Sequence, residues 1–289
     1  MSTVERTSVR VVCVTFHPGP ELADFIESLR TATTAPVELV LVENGTDDSA
    51  ARDAGAPVGA TVLTSGGNVG YGRAANRGAA GAAQEWLVVA NPDVVWHPGA
   101  LDRLLEAGLR HPTAGALGPS VLNTDGTRYP SARELPSLRQ GVGHALLARL
   151  LPGNRWTAAY QRNQETAGDT ERVAGWLSGA CLLIRREAFE QIGGFDEDYF
   201  MFFEDVDLGE RLGKAGWANL YVPAAEVTHA QGTSWRDRPA PMIRAHHASA
   251  ARYLAGRYHQ WYLLPLRAAI RAGLAARCAI EVRRARATD

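Results

Sequence analysis

The chain has 289 residues, 46% of them hydrophobic, enough to bury a substantial core as one large domain or one domain with an appendage. Its formal net charge of -1 gives no electrostatic case for nucleic acid as a partner. No apolar run approaches the ~20 residues that span a bilayer, and no apolar stretch follows a basic start at the N-terminus, so a cytosolic location is expected.

Three cysteines, Cys13, Cys181 and Cys278, are odd in number and far apart. Cys13 and Cys181 lie in apolar runs and read as buried thiols rather than disulfide or zinc partners. Charge is unevenly spread. From Trp261 onward six arginines (Arg267, Arg271, Arg277, Arg283, Arg284, Arg286) face only Glu281 and Asp289.

The first ~120 residues alternate strand-like and helix-like segments, the pattern of an α/β sheet. Val9 to Phe16 is a β-rich apolar run, followed by an amphipathic stretch carrying Leu22, Phe25, Ile26 and Leu29. Val37 to Val42 is a second buried strand, ending at Glu43-Asn44-Gly45. A short third strand, Thr61 to Thr64, leads into Gly66-Gly67-Asn68-Val69-Gly70-Tyr71-Gly72 and a small-residue helix with Ala74, Ala75 and Asn76. The fourth, Trp86 to Ala90, ends at Asn91-Pro92-Asp93. Ligands of such sheets bind beyond the carboxyl ends of the strands, where every one of these segments turns polar or glycine-rich.

Residues ~123 to 170 are looser and read as an irregular, mobile insertion. Val173 to Ile184 is again strand-like, Arg185 to Ile192 is a short helix stopped by Gly193-Gly194, and Glu204 to Ala215 is a helix with acids in its first turn and Lys214 near its end. An apparent last strand precedes His229. The chain from about Pro239 is mostly helical.

Between Gly193 and Trp217 seven carboxylates (Asp196, Glu197, Asp198, Glu204, Asp205, Asp207, Glu210) sit among Phe195, Tyr199, Phe200, Met201, Phe202 and Phe203. Such a mixture points to carboxylates beside a partly dry pocket. At about 100° per residue, Asp205 shares a stripe with Leu208 and Leu212, whereas Asp207 and Glu210 fall opposite as solvated surface charges. Asp205 therefore points to the core side at the edge of an apolar wall and reads as functional, against the alternative that it only caps the helix.

Asp93, just past a buried strand, is placed to hold Mg²⁺ or Mn²⁺ against phosphates, although Asn-Pro-Asp is also an ordinary turn. The glycines from Gly66 to Gly72 allow either phosphate approach or close helix packing, and GxGxxG spacing is absent. His229 is a candidate third ligand or diphosphate contact, or simply a satisfied polar residue. His246-His247 lacks metal-pair spacing and reads as structural or surface. In the tail, Tyr258, Trp261 and Tyr262 precede Leu263, Leu266, Ile270 and Leu274 at helical spacing beside Arg267 and Arg271. That composition suits either an anionic membrane surface or a helix docked on its own domain.

Taken in order, Val14-Thr15-Phe16, Val42-Glu43-Asn44-Gly45, Asn68-Val69-Gly70 with Asn76, Asn91-Pro92-Asp93, Gly179 to Arg185, Gly193 to Glu197, Phe203-Glu204-Asp205-Val206-Asp207 and His229 resemble a family 2 glycosyltransferase. The similarity is to its rhamnosyltransferase-like bacterial branch and spans about residues 9 to 236. It implies a GT-A fold, a Rossmann-like nucleotide-binding sheet with mixed strands, plus the C-terminal helical tail. The halves would be 1–122 for the nucleotide sugar and 123–236 for the acceptor, with 237–289 a basic helical tail on the membrane.

The resemblance further implies inverting transfer. Asp205 would be the general base, with Glu204 positioning the acceptor. Thr15, Glu43, Asn68, Gly70 and Asn76 would line the nucleoside side, with Asn91 by the ribose. Asp93 and His229 would hold Mg²⁺ or Mn²⁺, and Trp176 and Gly179 would meet the acceptor. His17 stands where the family usually has asparagine, Glu43 where it usually has aspartate, and the metal motif offers one carboxylate instead of two.

The expected activity is transfer of L-rhamnose from dTDP-L-rhamnose to a polyprenyl-diphosphate-linked sugar in cell-wall or polysaccharide synthesis. The protein would be peripheral on the cytoplasmic face of the plasma membrane, with no nucleic-acid partner and with self-association left open. Galactofuranose, mannose or glucose donors are the alternatives within enzymes. A nucleotide-dependent oxidoreductase is disfavoured by the missing glycine fingerprint. A catalytically silent carbohydrate-binding scaffold is the non-enzyme alternative, and the presence of both Asp93 and Asp205 argues against it.

Overall fold

The computed structural model describes residues 4, 7–136, 168–230 and 239–287. Helices and strands are numbered here in chain order among those residues. The first half runs β1 (Val9–Thr15), α1 (Glu21–Ala32), β2 (Val37–Glu43), α2 (Ser49–Gly55), β3 (Thr61–Thr64), α3 (Tyr71–Ala79), β4 (Trp86–Ala90), β5 (Val94–Trp96), α4 (Ala100–Arg110) and β6 (Ala114–Leu122). Short strands β7 (Arg128–Tyr129), β8 (Ala132–Arg133), β9 (Arg172–Ala174) and β10 (Trp176–Leu177) follow. Then come β11 (Cys181–Arg185), α5 (Arg186–Gln191), α6 (Glu204–Lys214), β12 (Ala218–His229), α7 (Pro239–Arg257) and α8 (Leu264–Ala287).

Ten of the strands make one large mixed sheet in the order β3-β2-β1-β4-β11-β6-β12-β5, with β7 and β9 attached at its margins, and β8 pairs with β10 in a separate two-stranded sheet. The β3, β2, β1 and β4 strands are parallel, whereas β11 runs antiparallel to both β4 and β6. Strand side chains alternate between faces, and β1 is apolar on both. Val9, Val11 and Cys13 join a core under α1 and α4, built with Phe25, Leu29, Leu101 and Leu104. Val12 and Val14 join a second core under α3, α5 and α6 with Ala74, Ala75, Phe189 and Leu208. A sheet buried on both faces must be covered by helices on both, which is the observed three-layer arrangement.

Cys13 and Cys181 are buried free thiols on neighbouring parts of this sheet, and burial raises both thiol pKa values. The strand-like run over Val173 to Ile184 forms three short strands, and the Leu135 backbone nitrogen approaches so closely that a Cβ at Gly175 would lie 2.5 Å from it. Much of the stretch expected to be irregular, 137–167, and the segment 231–235 after His229 lie outside the described residues.

The tail divides in two. One face of α7 is buried, with Tyr253 packing against Tyr199 and Val206. The turn at 261–263 and the start of α8 are open: Trp261 is 80% exposed and Tyr262 62%. Among the described residues no helix is long and apolar enough to cross a membrane.

Candidate active site

Parallel strands deliver their last residues to one edge, and β1, β2 and β4 deliver Thr15, Glu43 and the Asn91-Pro92-Asp93 turn there. Thr15 Oγ donates to Glu43 Oε2 at 2.7 Å, while Glu43 Oε1 accepts from the backbone N–H groups of His17 (3.1 Å) and Gly45 (2.7 Å). Both side chains are buried. They form a polar floor that fixes the loops after β1 and β2, leaving exposed Phe16 and His17, rings 4.6 Å apart, above it.

The glycine-rich loop is tied to this floor by Asn44, which sequence reading passed over. Asn44 Nδ2 donates to Asn68 Oδ1 (3.1 Å), and its Oδ1 accepts from Val69 N–H (3.0 Å). Gly70 has φ +95°, and a Cβ there would lie 2.5 Å from the Phe200 carbonyl oxygen. Tyr71 N–H donates to that same oxygen at 3.0 Å. This backbone approach alone is enough to require a glycine here. Asn76, expected on the nucleoside side, bonds to the chain itself. Its amide donates to the Phe195 carbonyl and accepts from Phe195 N–H, both at 2.9 Å, so both ends are spent holding the 194–197 loop.

Sheet register brings the candidate metal ligands together. His229 pairs with Val94 across β12 and β5, and Ala230 N–H donates to the Asp93 carbonyl at 3.1 Å. The side chains follow: His229 Nε2 lies 3.0 Å from Asp93 Oδ1 and 3.2 Å from Asn91 Nδ2. Asp93 is buried. Among the described residues no cluster of three His, Cys, Asp or Glu side chains could hold a metal. A buried carboxylate and a convergent imidazole nonetheless suit a hard divalent cation that takes its remaining ligands from a diphosphate and water.

The second pair of acids opens α6. Asp205 Oδ2 accepts from Gly179 N–H at 2.9 Å and Oδ1 from Val206 N–H at 2.8 Å. Tyr71 Oη donates to the Gly179 carbonyl at 2.8 Å, so Gly179 is clamped from both sides. Burial raises the pKa of Asp205, and the Gly179 and Val206 N–H groups and the Arg133 charge oppose that rise. Glu204 is 7% exposed, and its Oε2 has no hydrogen-bond partner among the described residues. Burial, with the neighbouring Asp205 charge adding to it, pushes Glu204 up to about 8. Burial thus favours the neutral form of both acids, while the two N–H groups that Asp205 accepts from favour its charged form. Glu204, the expected acceptor-positioning residue, is thus the more deeply buried of the two adjacent acids.

Phe202 and Phe203, immediately before this pair, both have φ +66°. That is a strained conformation for bulky residues, about 1–3 kcal/mol each. It is held from the tail. The His246 ring lies 5.5 Å from both phenylalanine rings, Tyr253 lies 5.6 Å from Phe203, and Ser249 Oγ donates to the Met201 carbonyl at 2.8 Å.

Asp207 and Glu210 correct the expectation of solvated surface charges. Asp207 pairs with Arg211 at 2.6 Å, and Glu210 accepts from Tyr253 Oη at 2.5 Å and pairs with Arg257 at 3.1 Å. Helix α7 covers the face that a helical wheel assigns to water. A cavity of about 690 Å³ between α6, α7 and α8 is lined by these paired acids and arginines and is separate from the strand-edge site.

The two acid centres meet at adjacent residues. Gly179 N–H binds Asp205, and the carbonyl of the following residue, Ala180, accepts from Asn91 N–H at 3.0 Å. Antiparallel pairing of Cys181 with Ala90 enforces this juxtaposition. Trp176 is half-buried nearby, its Nε1 donating to the Glu134 carbonyl at 3.2 Å.

Comparison with known proteins agrees with this architecture. The sequence model of glycosyltransferase-like family 2 matches residues 6–246. N-acetylglucosaminyl-diphospho-decaprenol L-rhamnosyltransferase of Mycobacterium tuberculosis is 49% identical over 291 residues, covering 94% of this chain and 92% of that protein. The rhamnosyltransferase WbbL of Escherichia coli is 38% identical over 86 residues, 30% of this chain and 33% of that one. Among solved structures, the mannosyltransferase PcManGT from Pyrobaculum calidifontis, in complex with GDP-Man and Mn²⁺, superposes with a TM-score of 0.54 at 20% identity over 97% of this chain and 79% of its own. GalNAc-T7 with UDP, GalNAc and Mn²⁺ gives 0.56 at 14% identity over 79% of this chain and 44% of its own.

Proposed function

Because the chain belongs to glycosyltransferase-like family 2, we propose that it transfers L-rhamnose from dTDP-L-rhamnose to a sugar carried on polyprenyl diphosphate. The observation that carries this reading is the adjacent pair Gly179-Ala180, which joins a candidate base, Asp205, to the Asn91-Asp93-His229 group within one site. A relative 49% identical over nearly the whole chain, named for L-rhamnosyl transfer to N-acetylglucosaminyl-diphospho-decaprenol, supports the choice of donor and acceptor.

In the proposed reaction Asp205 takes the proton of the acceptor hydroxyl as its oxygen attacks the anomeric carbon. The bond to the donor's diphosphate oxygen breaks on the opposite face, which inverts the configuration. Gly179 and Val206 N–H groups hold the Asp205 carboxylate in place, and Glu204 stays neutral beside it. Asp93 and His229 would hold a divalent cation, which when bound offsets the charge developing on the leaving diphosphate. Asn91 lies against His229 and fixes that ring. The exposed aromatic turn at Trp261-Tyr262, followed by the arginines of α8, supports peripheral contact with an anionic membrane where a lipid-linked acceptor resides.

The test is transfer of labelled sugar from a panel of nucleotide sugars to a polyprenyl-diphosphate GlcNAc acceptor in phosphatidylglycerol-containing vesicles, with and without EDTA. Rhamnose transfer abolished by EDTA and restored by Mg²⁺ or Mn²⁺ is the expected result. Preference for another donor refutes the sugar assignment, full activity in EDTA refutes the metal, and failure to co-sediment with the vesicles refutes the tail contact.

A further inference from the structure

Arg133 belongs to a stretch whose sequence signals nothing, yet the fold sets it beside the candidate base. It ends β8, and its ladder partner is Trp176 in β10. Its guanidinium carbon lies 5.4 Å from the Trp176 ring and 5.2 Å from the Tyr129 ring. Its Nε donates to the Pro130 carbonyl at 2.7 Å, while its two Nη groups have no hydrogen-bond partner among the described residues. Two residues beyond Leu177, which pairs with Ala132, Gly179 reaches Asp205.

The side chain is thus stacked, anchored through one nitrogen and left with the paired donors of its fork available. Holding a guanidinium between two rings removes most of the freedom it would otherwise lose on binding. An Nη pair of this kind matches two oxygens of a phosphate. Its charge is felt at Asp205, but the two do not form an ion pair, so the base is not tied up.

The geometry points to Arg133 as the residue that binds the diphosphate of the acceptor. This rests on the proposed acceptor. A sugar whose hydroxyl meets Asp205 and whose anomeric carbon bears a diphosphate extends its anionic group roughly one ring away from the base. A preorganised cation laddered to Trp176, ahead of Gly179 in the chain, fits that group, while Asn91 bonds to Ala180 after it. The diphosphate of the donor instead faces Asp93 and His229.

The experiment compares wild-type protein with Arg133→Gln and Arg133→Lys, assayed on the alkaline plateau of the pH–rate profile so that the base is ionised throughout. The readouts are KM for N-acetylglucosaminyl farnesyl diphosphate, KM for dTDP-L-rhamnose, and Ki for farnesyl diphosphate, which has the anionic group without the sugar. For Arg133→Gln, acceptor KM and farnesyl diphosphate Ki are expected to rise together by roughly tenfold or more, and kcat at saturating acceptor and donor KM to change less than about twofold. Arg133→Lys retains the charge and loses the fork, so it falls between.

An unchanged acceptor KM overturns the inference. So does a donor KM rising in step, a Ki that does not move with the acceptor KM, or the absence of any wild-type inhibition by farnesyl diphosphate. Wild-type protein that glycosylates neutral sugars but not the diphosphate acceptor refutes the acceptor assignment itself, and the Arg133 inference with it.

Discussion

Asp93 and His229 at the edge of the sheet are held very differently from Glu204 and Asp205 at the start of α6. The first pair is set by hydrogen-bonded register, with His229 opposite Val94 and Ala230 bonded to the Asp93 carbonyl. Moving either residue means breaking the β5–β12 ladder. The second pair follows two left-handed phenylalanines and has no ladder beneath it. Its position depends on one N–H from Gly179 and on a tail helix pressing His246, Ser249 and Tyr253 against the 201–203 loop. Strain of this kind persists only where surrounding contacts over-determine it. The proposed donor end is therefore fixed by the ladder, whereas the loop that leads into the proposed base also depends on the docked tail.

The sharpest way to separate the two ends is to remove the chemistry from each. Asp205→Asn keeps the shape and loses the base, so kcat should fall by roughly 10²–10⁴ with donor affinity unchanged. His229→Ala should instead weaken donor binding and raise the metal concentration needed for half-maximal rate. Titration calorimetry with donor and metal, beside steady-state kinetics, distinguishes them. If Asp205→Asn turned over at the wild-type rate, the base would have to be sought elsewhere.

A smaller effect reaches the base end from a distance. His246 touches no proposed substrate, but its ring seats both Phe202 and Phe203. Removing it in His246→Ala should loosen the loop that delivers Asp205 and lower kcat roughly tenfold, since small displacements of a reacting group are costly. Donor affinity should hold, because the β5–β12 ladder is untouched. Equal losses in kcat and donor affinity would show that the two ends are not held independently.

This contrast also explains what the sequence made readable. Strands β1 to β4 announce themselves as apolar runs ended by polar turns, and Asp93 stands out because it follows one of them. The helical segment from Glu204 and its candidate base were equally visible. Strand β6, AGALGPSVL, has little β-forming character and is a strand because β11 and β12 flank it. The helical wheel sent Asp207 and Glu210 to solvent because it cannot know that α7 covers that face. Gly70 and Asn76 read as ligand contacts, and the Phe200 carbonyl beside Gly70 was invisible, since a glycine that admits a nucleotide reads the same as one that admits a carbonyl. Arg133 gave no signal at all, as its value comes from rings at positions 129 and 176 that only the fold brings together.

The smallest effect tests how the second pair divides its charge. Glu204 is raised from an ordinary 4.5 to about 8 by burial, with the Asp205 charge adding to it. A folded-state pKa above the unfolded value means that the neutral carboxyl is the form the fold accommodates. The stability tied to it is fully present below about pH 4.5 and is lost as pH rises through about 8, because ionisation must then occur in a buried site where Oε2 has no partner among the described residues. Glu204→Gln cannot ionise. Its unfolding temperature should fall less steeply than that of the wild type between those limits and exceed it by a few degrees above pH 8. Below pH 4.5 the two should nearly coincide. Activity should persist, because the proposed base is the neighbour held by Gly179 and Val206. Parallel stability curves across the whole range would mean that Glu204 is already ionised in the folded protein, and the neutral Glu204 proposed beside Asp205 would have to be given up.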